Sequence, residues 1–449
     1  MKTFLFRDIL AACGGEYVGD ASLLDAAASD VVIDSRKATP GSLYVPIIGE
    51  NHDGHAFIPA ARANGAALVL SEHALDTPPY IRVANTLAAL QAIAARYREL
   101  FSIPVVGLTG SAGKTSTKDI VAAALGAHYS VLKTQGNLNN ETGAPLTLFS
   151  LRPEHEVAVV EMGTNHFGEI DRISAMVQPD ICLFTNIGYA HIENFGTRDG
   201  IFRGKTEMLQ HMRPGGRIVA NGDDEYLSTL PGALLYGLGE HCAVRATEIE
   251  DLILDGMSFS ANYAGQTQRI HVPALGLHSV CNALAAVAVG LLLDMPLEEI
   301  AAGIETYEPL PGRMNVKHTP RFTLVDDTYN ANPTSVQASL DVLYKCPGRR
   351  VCILGDMREL GTQSQQLHAQ VGEYAVKLDF DLLLCVGTES RYLYESASKT
   401  APERTRYFAT QEDLLAALPE LVQNGDTILV KASRGMHLEH TIQFLLERR

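Results

Sequence analysis

What this 449-residue chain lacks excludes several kinds of protein. It has no excess of positive charge: 36 Lys and Arg stand against 52 Asp and Glu, a formal net charge of -16. No global basic field is present to hold nucleic acid or an anionic membrane surface, so an anionic ligand must be held by backbone N–H groups, a few basic side chains and metal ions. The seven cysteines (Cys13, Cys182, Cys242, Cys281, Cys346, Cys352 and Cys385) form no C-x-x-C pair. That argues against zinc and against a disulfide framework, and for small buried hydrophobes in a reducing cytosol. No apolar run approaches the ~20 residues that span a bilayer. The longest, Ala283 to Leu293, is bounded by Asn282 and Asp294 and reads as a buried helix. Arg7 and Asp8 interrupt the first apolar stretch before a signal-peptide core can form, so a cytoplasmic protein without membrane insertion is expected.

What is present is globular: 46% hydrophobic and 20% charged residues, in a chain long enough for about three domains. Short apolar runs at Val31–Ile33, Leu43–Val45 and Ala67–Leu70, followed by an Ala-rich helical stretch from Thr86 to Leu100, predict a small α/β domain over residues 1–102. Pro104 disfavours helix in the residue before it and marks a linker. Strand and helix patterns then alternate, which predicts a mostly parallel sheet over 103–312. After the break at Glu308-Pro309-Leu310-Pro311-Gly312 a third α/β domain, 313–449, repeats the plan.

The chemistry begins at Thr109-Gly110-Ser111-Ala112-Gly113-Lys114-Thr115, followed by Ser116, between the apolar strand Val105–Leu108 and a helix. A glycine turn in that position aims successive N–H groups at phosphate oxygens, and the helix N-terminus adds partial positive charge. Lys114 is placed to reach the β and γ phosphates, and Thr115 to join a Mg²⁺ shell. The match departs from G-x-x-x-x-G-K-[ST], because Leu108 stands where the first glycine belongs and the glycine is Gly107. Downstream, Val157–Val160 delivers Glu161 at its carboxyl end, a hard oxygen donor for Mg²⁺. The run Ile181–Phe184 leads to Asn186 and His191 on the same edge, and Lys205 opens a helical stretch. By itself, each of these last residues reads as an ordinary surface group.

Together these segments resemble the Mur ligase family over nearly the whole chain. The displaced glycine fits that family's G-x-T-G-x-x-G-K-T. Further matches are Gly136–Pro145, Glu161-Met162-Gly163, Asn186 with His191, and Gly276–Asn282, where Ser279 replaces the usual Asn. In the last third they are Pro311-Gly312-Arg313, Asp326–Ser335, Gly355–Gly361 and Lys431–Met436. The resemblance is strongest to the branch that adds D-alanyl-D-alanine, and Asp-Asn-Pro-Arg, used by the relative that adds diaminopimelate, is absent.

The resemblance implies three α/β domains: an N-terminal domain for a UDP-sugar peptide, a central P-loop ATPase domain with a parallel sheet, and a C-terminal Rossmann-like domain. It implies ATP and two Mg²⁺ ions as cofactors, held through Thr115, Glu161, His191 and a carbamylated Lys205, and nucleotide contacts from Asn282, Arg313, Asp327 and Asn330 besides the loop. It also implies that a UDP-N-acetylmuramoyl tripeptide and D-Ala-D-Ala are joined through an acyl phosphate. Ser35, Arg36, Asn137 and Asn139, with the segment Gly49–His55, are carried over as contacts to the peptide substrate, and a monomer is expected. Two other readings compete with this one: a folylpolyglutamate-synthase-like or different Mur-type ligase, and a P-loop switch, which the lack of an Asn-Lys-x-Asp guanine motif disfavours.

Overall fold

A computed structural model describes residues 1–49 and 52–447; Glu50 and Asn51 of the predicted Gly49–His55 contact segment lie outside the described residues. Three sheets carry the chain. The first has five strands in the order Glu16–Val18, Tyr80–Arg82, Leu68–Ser71, Leu43–Tyr44 and Val31–Val32, all parallel to their neighbours except Glu16–Val18. The helix Thr86–Arg98 follows it, started by the Asn85 side chain, which accepts from Ala88 N at 2.8 Å. Its last residue explains the linker: Arg98, fully buried, donates to the carbonyls of Phe101, Ile103 and Val177 at 2.7, 3.2 and 3.3 Å. The chain entering Pro104 is thereby fastened rather than free.

In the second sheet, of nine strands, Val105–Thr109 lies between Val157–Glu161 and Ile181–Phe184. Leu108 pairs in parallel register with Glu161, so the carboxylate arrives one residue before the loop leaves its strand. All five residues of Val105–Thr109 and of Val157–Glu161 are buried, which is why both read as continuous rather than alternating apolar runs. The sheet is mixed, not wholly parallel. Its edge continues through Val244–Asp251 into an antiparallel hairpin, Met257–Tyr263 with Gln266–Val272. The hairpin turns at Ala264 and Gly265, φ 49° and 81°, a two-residue turn with both residues left-handed. Ala264 at a position usually given to Asn or Asp concealed that turn in the sequence.

The third sheet has the order Asn315–His318, Thr323–Asp327, Thr427–Lys431, Arg350–Gly355, Leu382–Val386 and Thr405–Phe408, antiparallel only at Asn315–His318. Alternate residues of one strand feed opposite cores. Cys352, Leu354 and Leu429 face one cluster; Val351, Ile353, Ile428 and Val430 face the other. Helices therefore cover both faces, as the Rossmann-like expectation required.

By internal contacts the chain divides into two compact units: Met1–Thr109 with His128–Leu183 and Gly204–Ile218, and Gly110–Ala127 with Phe184–Arg203 and Val219 onward. All seven cysteines are free thiols, five of them buried. Burial pushes Cys182 up to about 12 and raises Cys352 and Cys385 as well. Cys281, though half-buried by exposed area, is likewise pushed up to about 12 by burial, so an aromatic disulfide reagent at pH 8 is expected to label quickly at most Cys13, and all seven after denaturation. Fast labelling of Cys352 in the native protein would contradict this packing.

Candidate functional site

The phosphate-type loop is built by its neighbours as much as by its glycines. A Cβ on Gly110 would lie 1.8 Å from Thr185 Oγ1, so only glycine lets the loop pass that strand end. Gly113, at φ 77°, is the N-cap of the 13-residue helix Lys114–Gly126, a backbone conformation that a side chain would strain. Asn186 acts as a template for the turn. Its Oδ1 accepts from Ala112 N at 2.8 Å, its Nδ2 donates to Ala112 O at 3.0 Å, and its carbonyl accepts from Ser111 N at 3.0 Å. Thr185 Oγ1 donates to the same Ala112 carbonyl, and Gly188 N donates to Ser111 Oγ, both at 2.9 Å. Asp224 in turn holds the Asn186 segment by accepting from Ile187 N at 2.7 Å. Lys114 Nζ donates to Gly110 O at 2.8 Å, which puts its charge over the loop.

Residues distant in sequence converge on this helix start. Thr117 Oγ1 lies 2.9 Å from both Gly113 O and Asn282 Oδ1, which places Asn282 against the first turn. Arg313 donates to Thr115 Oγ1 at 3.0 Å, and its guanidinium stacks 3.8 Å from the centroid of Tyr329. Arg434 approaches the same ring at 4.8 Å. A cavity of about 340 Å³ beside the loop is lined by Ser111, Lys114, His191, Tyr329, Asn330, Arg358, Glu359 and Arg434, among others. Lys114 and the guanidiniums give it the charge an anionic ligand needs. Of the predicted residues, Ser111, Lys114, His191 and Asn330 thus share one space. His191 Nδ1 is 2.8 Å from Glu359 Oε2, and the hydrogen bond from His191 holds the Glu359 carboxyl below its usual range.

Asp327 is placed differently. It is 8% exposed, and Lys431 Nζ and Ser339 Oγ donate to its Oδ2 at 2.5 and 2.6 Å, with Met314 N donating to Oδ1 at 3.2 Å. Its first task is to anchor the third sheet. In the other unit, Glu161 and Lys205 are each 1% exposed. Asn139 Nδ2 donates to Glu161 Oε1 at 2.8 Å, and Glu161 N to Thr134 Oγ1 at 3.0 Å. Asn137 is exposed, its carbonyl accepting from Asn139 N at 2.8 Å. Ser35 is buried and its carbonyl accepts from Asn64 Nδ2 at 2.9 Å. Arg36, 87% exposed, is paired with Asp34 through two hydrogen bonds of 2.9 and 2.7 Å, which hold Asp34 down at about 2.

Sequence reasoning assigned no role to Tyr329, Arg434 or Glu359, although each lies in a quoted motif; polar residues in the turns after apolar strands were the available signal. The fold also brings ligand atoms of Asp223, His241 and Cys242 within 4.8 Å of one another. Asp223 there accepts from Leu238 N and Gly239 N at 2.7 and 2.9 Å, and His241 Nε2 lies 2.8 Å from Gly222 O, which accounts for them as turn anchors.

Three family models match the chain: the Mur ligase family catalytic domain at residues 28–98, the Mur ligase middle domain at 108–290, and the Mur ligase glutamate ligase domain at 312–434. A UDP-N-acetylmuramoyl-tripeptide--D-alanyl-D-alanine ligase of Escherichia coli (strain K12) is 36% identical over 444 residues, 96% of each chain. A crystal structure of MurF from Acinetobacter baumannii superposes with a TM-score of 0.92 at 34% identity, covering 100% of both chains. MurF ligase from Thermotoga maritima in complex with ADP gives 0.85 at 27% identity, covering 93% of this chain and 97% of that one.

Proposed function

Because the chain belongs to the Mur ligase family, we propose that it joins D-alanyl-D-alanine to a UDP-N-acetylmuramoyl tripeptide, consuming ATP, in the synthesis of a peptidoglycan precursor. The observation that carries the reading is the clamped loop 110–114 opening into a cavity shared by Lys114, His191, Asn330 and Arg434. The γ-phosphoryl group passes to the terminal carboxylate oxygen of the tripeptide. The dipeptide amine then attacks that carbonyl, an amide forms, and ADP and phosphate leave. A carboxylate is a poor electrophile until its oxygen becomes a phosphate leaving group, so the energy of ATP is spent there.

Such a transfer needs positioning and charge neutralisation more than a protein nucleophile. The N–H groups of 110–114 and the helix start cradle phosphate, Lys114 reaches the β and γ oxygens, and Thr109 and Ser116 flank the cradle. Asn282, Arg313, Asp327 and Asn330 complete the nucleotide site. Ser35, Arg36, Asn137 and Asn139 serve the peptide substrate. The hydroxyl of Thr115 and the carboxylate of Glu161 are each hard oxygen donors of the kind Mg²⁺ takes, and the imidazole of His191 is carried over with them as a nitrogen donor. Bound there, two ions would neutralise the phosphate oxygens. Lys205 suits the second as a carbamate, which would turn a buried cation into an oxygen donor. The working division is 1–102, 103–312 and 313–449, and the spans of the family matches support it. Among the described residues no helix is long and apolar enough to cross a membrane; a cytoplasmic monomer is our reading.

A coupled phosphate-release assay tests the function. Release is expected only when UDP-tripeptide and D-Ala-D-Ala are both present. Release with a folate and glutamate instead would replace this reading with that of a folylpolyglutamate-type ligase.

A further inference from the structure

His191 and Glu359 meet on the wall of the cavity, Nδ1 to Oε2 at 2.8 Å. Both backbones are left-handed, φ 59° and 64°, a region that residues with a Cβ rarely enter and that persists where surrounding structure imposes it. The Glu359 side chain is 54% exposed and that of His191 20%, and a contact so open on one side adds little to folding stability. Stability therefore does not account for two strained residues brought into contact across the chain.

Resting on the reading that His191 holds a Mg²⁺ ion, we propose that Glu359 is the positioning residue for that imidazole. Its carboxylate accepts the Nδ1 proton and so fixes the tautomer whose Nε2 lone pair is available to a metal. Imidazoles that bind metals commonly donate their other N–H to a carboxylate in this way, and removing the carboxylate weakens metal binding. Glu359 lies in the turn after the strand Arg350–Gly355, whereas His191 precedes the short helix Ile192–Phe195. Metal affinity is thereby tied to the docking of the Gly355–Gly361 segment on the loop.

The test uses Mn²⁺ as the probe, followed by its electron paramagnetic resonance signal in the presence of a non-hydrolysable ATP analogue, so no peptide substrate is needed. Glu359→Ala is expected to weaken Mn²⁺ binding roughly 10- to 100-fold and to raise in parallel the Mg²⁺ concentration for half-maximal turnover, with the KM for D-Ala-D-Ala little changed. Glu359→Gln, which keeps an acceptor oxygen, should recover much of the loss. In a His191→Ala background Glu359→Ala should add nothing, because the two act through one bond. Unchanged Mn²⁺ affinity in Glu359→Ala overturns the proposal. So does a Gln variant as weak as Ala, which would make Glu359 a direct ligand, and so do additive effects of the two alanines. If Glu359→Ala fails to fold, the Gln and Asp variants carry the same comparison. Loss of substrate-dependent phosphate release in the wild-type protein would instead count against the ligase reading and leave the Mn²⁺ result standing.

Discussion

Lys114→Ala is expected to lower substrate-dependent phosphate release by roughly 10²- to 10³-fold, the effect of removing one preorganised group that meets developing charge. That corresponds to about 3–4 kcal/mol of transition-state stabilisation. The ammonium sits at the first residue of the helix Lys114–Gly126 and reaches back over its own loop to Gly110 O at 2.8 Å. It adds a full positive charge where the N–H groups offer only partial ones. The loop itself should survive, since its shape is held by Asn186 and Thr185 through Ala112 and the lost Lys114 bond, charged on one side, is worth about 1.5–3 kcal/mol. A circular dichroism spectrum close to wild type and a modestly lowered melting curve, with turnover nearly gone, are the predicted results. Lys114→Arg should restore charge but not geometry, because a planar guanidinium does not replace a compact ammonium. A Lys114→Ala enzyme within threefold of wild-type rate would remove this loop from the reaction.

Lys431→Ala should instead damage the fold. Lys431 is 3% exposed, with Nζ 2.5 Å from Asp327 Oδ2 and 3.0 Å from Asn330 O. Removing one partner of a buried pair leaves the other charge uncompensated, at a cost of about 3–5 kcal/mol. Ser339 and Met314 N still donate to Asp327, but neither carries charge. Urea unfolding should show the loss as a lower midpoint. Lys431→Met should lose nearly as much despite its similar size. Adding Asp327→Asn should recover part of the loss, because the stranded charge is then gone. A loss below about 1 kcal/mol in Lys431→Ala would mean that water already solvates the pair. Since Lys431 also holds the Asn330 carbonyl beside the cavity, weaker nucleotide binding should accompany the loss of stability.

How much was legible in the sequence depended on how local the cause was. The loop 109–115 was plain because its N–H groups, its glycines and its lysine are contiguous. Glu161 was legible as a strand-end carboxylate, and the register of Val157–Glu161 beside Val105–Thr109 bears that placement out. The third domain's strands were readable as unbroken apolar runs, because both of their faces are covered. The hairpin at 257–272 was not, since Ala264 hides a left-handed turn and the outer strand opens on four polar residues, Gln266–Arg269, none of them buried.

Asp327 shows the limit from another side. A motif marked it as important, yet its acceptors are engaged by Lys431, Ser339 and Met314, each brought by a different segment. Asn186 was legible as an amide at a strand end and as a motif residue, but without a task. Its work as a double hydrogen-bond template for Ala112 needs the strand Ile181–Phe184 to end beside the loop.

The sequence alone determined the glycine loop between strand and helix, the alternation of the two, and the family to which they belong, because backbone N–H direction, helix polarity and apolar periodicity are properties of neighbouring residues. Tertiary structure alone decided which side chains meet at the helix start and on the cavity wall: Arg313 on Thr115 and Tyr329, Asn282 on Thr117, Glu359 on His191. Those pairings depend on how separate elements pack, and a hydrogen bond over 3 Å cannot be read from residues that meet only after the chain has folded.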